Sequence, residues 1–403
     1  MSKIQWEYDL VEKPFCEQLK AMGWQWIEGD TDIPDFTERQ NFREVLLKGR
    51  LAAALHKLNL RDGRPWLDDD RIRRIIEKLE RAEGHRLMEI NESATKLLLK
   101  GTEIDGLPDW NSGRNQPVRF IDFENPLNND FLVINQFKVE LTSGRGHVIP
   151  DAVLFVNGIP VGVAEFKSPG IENPLQEAIN QLLRYTNQRR EIWPTLYTDN
   201  EGVELGVLPQ SPEEPQAAQE LAAAGAEKSD WGGIPLFFRQ RDKRPEVLRG
   251  GVGASLQSQQ ILTAGMLRPA HLLDLIRNFT VFQQVEGKTR TMVARYQQFR
   301  AIHNAVTRLQ EGRTKAQGAD RDERGGIVWH TQGSGKSLSM VFLVRKMRMT
   351  PRLKRFKVVV VTDWTDLQEQ LGATAQLSGE SVRPTDQDLK SRESPTAMTQ
   401  RLE

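Results

Sequence analysis

Cysteine is nearly absent from this 403-residue sequence. The one thiol, Cys16, has no intrachain partner, so a disulfide scaffold is excluded and a reducing, cytoplasmic setting is expected. No apolar run approaches the ~20 residues that a membrane span needs, and no signal-peptide pattern opens the chain, so no membrane contact is expected. Neither sign of charge is in excess: Lys+Arg and Asp+Glu stand at 55 each. That balance gives no general push toward nucleic acid, so any basic surface must be local. No internal repeat is present. What remains is ordinary globular material, 38% hydrophobic and 27% charged, and the length allows two or three domains with full cores.

The N-terminal stretch "EYDLVEKPFCEQLKAMG" has apolar residues at helical spacing and stops at Gly23. Further amphipathic helices are expected over 38–59, 68–82 and 87–99. From residue 117 the period changes, and "VRFIDF", "FLVINQFKVEL", "AVLFV" and "VGVAEF" read as strands. A helix, 174–188, follows the last of them. The tract 208–233 is rich in Pro, Ala and Glu and reads as an exposed insertion. Helices resume at 270–278 and 293–310. Then "IVWH" and "KVVVVT" read as strands alternating with helices, the beginning of a parallel α/β sheet. The expected division is a first domain at 1–255 and a second at 256–403.

The stretch 148–167, "VIPDAVLFVNGIPVGVAEFK", is an apolar hairpin with charges at its ends: Asp151, Glu165 and Lys167. Burying unpartnered charge costs several kcal/mol, so three charges here point to a site. Asn157-Gly158 is a strong turn signal. A two-residue loop there puts Asp151 and Glu165 on opposite faces. An odd loop, such as a three-residue loop closed by a Gly bulge, puts 151, 163, 165 and 167 on one face. Two carboxylates beside a lysine suit Mg²⁺, a hard cation that generates hydroxide and steadies charge on a phosphate under attack. The lysine can position the water or share that charge. The bland alternative is a turn cap at Asp151 and a solvated edge at Glu165 and Lys167. Pro150, Asp151, Glu165 and Lys167 together resemble the PD-(D/E)xK nuclease motif. Gln181 and Tyr185, four apart on the following helix, match a Gln-x-x-x-Tyr pair that borders the active site in one branch of these nucleases.

A second constellation is "GGIVWHTQGSGKSLSM", 325–340. A glycine-rich turn between strand and helix points successive N–H groups at an anion, and the helix dipole reinforces them. Thr331, Gln332, Gly333, Ser334 and Gly335 form the expected cradle, Lys336 reaches the β- and γ-phosphates of ATP, and Ser337 ligates Mg²⁺. His330 stands where the strict pattern has glycine. Upstream, the Gln298 amide can read an adenine edge. Downstream, Thr362-Asp363-Trp364-Thr365 ends a strand where a nucleic-acid backbone could bind, although a helix N-cap accounts for these residues equally well.

In order and wording the chain resembles the restriction (R, motor-nuclease) subunit of type I restriction–modification enzymes. "VEKPFCEQLKAMGW", "IDFENPLNNDFLVINQF", "PDAVLFVNGIPVGVAEFK", "QLLRY", "ARYQQF", "WHTQGSGKS" and "VVVVTDWTDLQEQL" carry the resemblance. It implies an α/β protein: an α+β nuclease domain of PD-(D/E)xK type, then the start of a RecA-like parallel α/β helicase lobe of superfamily 2. It also implies Mg²⁺ and ATP as cofactors. Implied partners are double-stranded DNA and the methyltransferase and specificity subunits. By the same resemblance Glu12 is an acid near the metal and Gln298 reads adenine. The family usually has arginine where Trp364 stands. No Asp-Glu-x-His pair, second lobe or arginine finger follows, so little ATP turnover is expected of this chain alone. Two rivals share these motifs. A helicase-nuclease of DNA repair would need no methyltransferase partner. A catalytically silent remnant would only dock on its partners.

Overall fold

The computed structural model describes residues 8–82, 87–140, 146–167, 258–285, 288–330 and 334–361, with 178, 181, 372 and 374–379 besides. The chain divides into two compact units, Met1–Tyr296 and Gln297–Glu403. The fold is mixed α and β.

In the first unit a π-helical turn, Tyr8–Glu12, leads into α1 (Lys13–Ala21), with Pro14 in its first turn. Phe15, Cys16 and Leu19 form its buried stripe. Three further helices follow: α2 (Lys48–Leu58), α3 (Asp69–Glu80) and α4 (Leu87–Lys100). The helix expected from 38 begins only at Lys48, because the preceding segment wraps the buried Arg39 side chain instead. Helices α5 (Ser258–Met266) and α6 (Pro269–Asn278) belong to this unit as well. The Gln18 amide donates to Gln260 O at 2.7 Å, and the Trp24 indole donates to Leu267 O at 2.9 Å.

The central sheet has four strands in the order β1 (Gln25–Glu28), β2 (Phe131–Asn135), β3 (Ala152–Val156) and β4 (Ile159–Ala164). The β1–β2 pair is parallel, and β2–β3 and β3–β4 are antiparallel. Every residue of β2 and β3 is buried, as expected of strands covered on both faces. One face carries Leu132, Ile134, Val153, Phe155 and Val163 around Phe137 and Val148. The run "FLVINQFKVEL" does not continue as one strand. It breaks at Gln136, whose φ is +47°, and resumes as a two-residue ladder at Val139–Glu140. Of "VRFIDF", only Val118 is extended, closing a short strand at Gln116–Val118. A hairpin of β5 (Thr280–Val285) and β6 (Lys288–Val293) stands where the sequence carries no clear strand signal, since Gln and Thr blur its alternation.

The β3–β4 turn has two residues, not three. Asn157 and Gly158 have φ of +53° and +76°, as a type I′ hairpin turn requires. Val156 pairs with Ile159 and Phe155 with Pro160, which is the register that would separate the two acids. The register changes further along. Val161 is an extra residue bulged between Pro160 and Gly162, so Leu154 pairs with Gly162 and Ala152 with Ala164. The next residues out are Asp151 and Glu165, now opposite each other. The turn itself is pinned. Asn157 is fully buried and donates to Phe120 O at 2.8 Å and Asn129 Oδ1 at 2.9 Å. A Cβ on Gly158 would lie 2.5 Å from Leu47 O, at the start of α2.

The second unit contains α7 (Tyr296–Glu311), apart from its first residue, and α8 (Lys336–Met349). The strands expected at "IVWH" and "KVVVVT" do not form. Residues 325–330 and 356–361 are irregular, with Ile327 94%, Trp329 80% and Val361 82% exposed. A parallel strand needs a ladder partner, and among the described residues of this unit none pairs with either run.

Candidate active site

Asp151, Glu165 and Lys167 meet at the end of the β3–β4 hairpin. The Lys167 ammonium lies 3.7 Å from Asp151 Oδ2 and 3.7 Å from Glu165 Oε2. It donates a hydrogen bond to Phe166 O at 2.7 Å. Three oxygens therefore surround one cationic nitrogen. All three side chains are largely out of solvent, with side-chain exposures of 12% for Asp151, 1% for Glu165 and 9% for Lys167. Asp151 Oδ2 also accepts the Phe166 N–H at 2.7 Å, which ties the acid of one strand to the backbone of the other. Phe166 turns the opposite way and packs on Phe15 of α1, ring centroids 5.0 Å apart. The sequence alternation thus puts chemistry on one side and packing on the other.

Glu12 reaches the end of the same sheet from the turn before α1. It is 3% exposed, and its two oxygens accept from the Asn135 amide at 2.8 Å and the Gln136 amide at 2.9 Å. The Gln136 N–H in turn donates to Asp151 O at 2.9 Å. Burial, and then the nearby Glu12 carboxylate, push the Cys16 thiol well above its ordinary range, so it is no nucleophile. Among the described residues no group of three or more His, Cys, Asp or Glu is arranged to hold a metal ion, so Glu12 stands apart from the Asp151–Glu165 pair. The donor set itself fits a hard divalent cation: two carboxylates and the Phe166 carbonyl, converging where an ammonium now supplies the positive charge. Gln181 is in helical conformation, whereas Tyr185 lies outside the described residues.

Sequence reasoning missed three contributors: the Val161 bulge, the Asn135-Gln136 pair and Arg39. Burial lowers the Arg39 guanidinium to about 10. Arg39 stacks 3.7 Å from the Phe137 ring and donates to Lys138 O at 2.9 Å, clamping the chain just after Gln136. Two amides in an otherwise apolar strand were the available signal.

In the second unit, Gly335 precedes α8 with φ +77°. Gln298 is 3% exposed and donates to Gly335 O at 2.9 Å. A Cβ on Gly335 would lie 2.8 Å from that same amide nitrogen. Lys336 is exposed and donates to His330 O at 3.2 Å, spanning the loop. Ser334 and Ser337 are described, but Thr331, Gln332 and Gly333 are not, nor are residues 362–370.

A family model, the type I restriction enzyme R protein N terminus, matches residues 4–200. A second model, the SWI2/SNF2 ATPase, matches residues 297–401, which coincide with the second unit. The chain is 29% identical over 388 residues to the type I restriction enzyme HindI endonuclease subunit of Haemophilus influenzae, covering 95% of this chain and 34% of that protein. It is 28% identical over 388 residues to the putative type I restriction enzyme MjaIXP endonuclease subunit of Methanocaldococcus jannaschii, covering 92% of this chain and 34% of the relative. The chain therefore spans about a third of the length of these curated relatives. Among the described residues no helix is long and apolar enough to cross a membrane.

Proposed function

We propose that this chain is the nuclease portion and part of the motor of a type I restriction endonuclease R subunit, cutting unmodified double-stranded DNA with methyltransferase and specificity subunits. One observation carries the reading: two buried carboxylates and a carbonyl converge on the Lys167 ammonium at the end of a bulged hairpin. Asp151, Glu165 and the Phe166 carbonyl would hold Mg²⁺ as in a PD-(D/E)xK site. Bound there, the metal supplies a hydroxide-generating Lewis acid. Lys167 holds the attacking water or shares the phosphate's charge. Asp151, fixed by the Phe166 N–H, keeps the two strands in the register that brings the acids together. Gln181 and Tyr185 border this site in the proposal. ATP would bind at residues 331–337, with Lys336 on its phosphates, Ser337 on its Mg²⁺ and Gln298 toward the adenine. The SWI2/SNF2 match and the Gly335–Lys336 helix start support that assignment.

The test is Asp151→Ala in a full-length R subunit assembled with its partners. DNA cleavage should fall by about 10²–10³-fold or more while ATP hydrolysis and the circular dichroism spectrum are retained. Undiminished cleavage would remove Asp151 from the site.

A further inference from the structure

Gln136 has no place in the motif that the hairpin carries, yet its geometry is unusual. It is a residue with a side chain at φ +47°, interrupting an apolar run at the end of β2. Such a conformation persists only where the surroundings hold it. Here both of its nitrogens are used. The side-chain amide donates to Glu12 Oε2 at 2.9 Å, and the backbone N–H donates to Asp151 O at 2.9 Å. An extended residue at this point would alternate its side chain away from its neighbour's; the left-handed turn lets Asn135 and Gln136 address the same carboxylate. Asn135 is itself oriented by the Trp26 indole, which donates to its Oδ1 at 2.9 Å. Phe137 continues the hold, its N–H donating to Pro150 O at 3.1 Å beneath the Arg39 guanidinium.

We infer that Gln136 is a positioning residue that couples Glu12 to the Asp151 strand and so sets the affinity of the metal site. The inference rests on the nuclease reading. Glu12 is not part of a converged three-acid group among the described residues, so its action is on the outer surroundings of the cation, where hydrogen-bonded partners commonly change metal affinity by about 10–100-fold. Gln136 transmits that action because its amide holds the Glu12 carboxylate and its N–H holds the Asp151 carbonyl.

The experiment is Mn²⁺ binding to the 403-residue chain, followed by the electron paramagnetic resonance signal of the free ion. Gln136→Gly removes the amide but suits the positive φ, so it separates positioning from folding. It should weaken Mn²⁺ binding by about tenfold without lowering the melting temperature. Glu12→Gln should weaken binding by a similar factor, and the double variant by no more than either single one. Gln136→Asn, which keeps an amide and tolerates the left-handed backbone, should recover part of the loss. Wild-type affinity in Gln136→Gly, or losses that multiply in the double variant, would overturn the inference. Failure of the wild-type chain to bind Mn²⁺, or an Asp151→Asn variant that binds equally well, would instead overturn the nuclease reading beneath it.

Discussion

The two candidate sites are built in opposite ways. The hairpin site lies at the end of strands buried on both faces, and one of its acids, Asp151, is fixed by a backbone hydrogen bond. The proposed phosphate loop follows an apolar segment left open to solvent, and its lysine is exposed. The difference shows how each site is specified. The first depends on register, a property of the whole hairpin. The second depends on a local sequence of small residues ahead of a helix N-terminus.

The largest effect should come from changing register alone. Deleting Val161 removes the bulge and turns Glu165 and Lys167 away from Asp151. Mn²⁺ binding should be lost altogether in titration; retained binding would show that the strand ends re-form the site without the bulge. The second unit offers the contrasting local change. Lys336→Ala should weaken nucleotide binding by roughly 10–100-fold, the loss of one charge-assisted contact, measured with a fluorescent ATP analogue. Equal affinity would mean that the loop is only structural.

Two glycines sharpen the comparison further. Gly158→Ala sets a methyl against the Leu47 carbonyl at 2.5 Å with φ at +76°, and backbone must move. It should cost about 2 kcal/mol or more in denaturant unfolding. Gly335→Ala has nearly the same φ, +77°, but meets the end of the Gln298 side chain, which can swing aside. Its cost should stay near the ~1–2 kcal/mol of the backbone conformation alone. Equal costs would mean that the second unit is as rigid as the first.

The smallest effect concerns acid. Burial alone would raise the Asp122 carboxyl, but the Asn128 amide and the Asn125 and Glu124 N–H groups outweigh it and hold it below its ordinary value. A lowered folded value stabilises above the unfolded value of ~3.9, and that contribution is lost as pH falls through the folded value. Asp122→Asn should therefore flatten the acid limb of stability, whatever the salt concentration. Asp322, held at about 2 by Arg324 on the surface, should show no such effect once salt screens the pair. Thermal melts between about pH 2 and 6 would check both.

Much of the first unit was legible because its signals are local. Apolar spacing marks α1 and α3, β-branched runs mark β2 to β4, and Asn157-Gly158 marks the turn. The face shared by Asp151 and Glu165 could be argued only conditionally, because a bulge at Val161 leaves no mark in composition. The break at Gln136 was hidden by the apolar residues on either side. Nothing in the sequence sets Arg39 apart from the other charged residues, and only the fold reveals it as a buried clamp. The strands expected in the second unit were read from hydrophobicity, which reports a need for cover and cannot name the neighbour that provides it.

The Lys167 ammonium offsets one of the two carboxylate charges, and the bulged register and the Phe166 N–H hold the acids in place, so the fold itself builds the hairpin site. Folding and metal loading are then separate events, unlike small domains whose metal is their folding energy. A chelator should silence the proposed nuclease while leaving the chain folded, and restoring the ion should return activity with no refolding step.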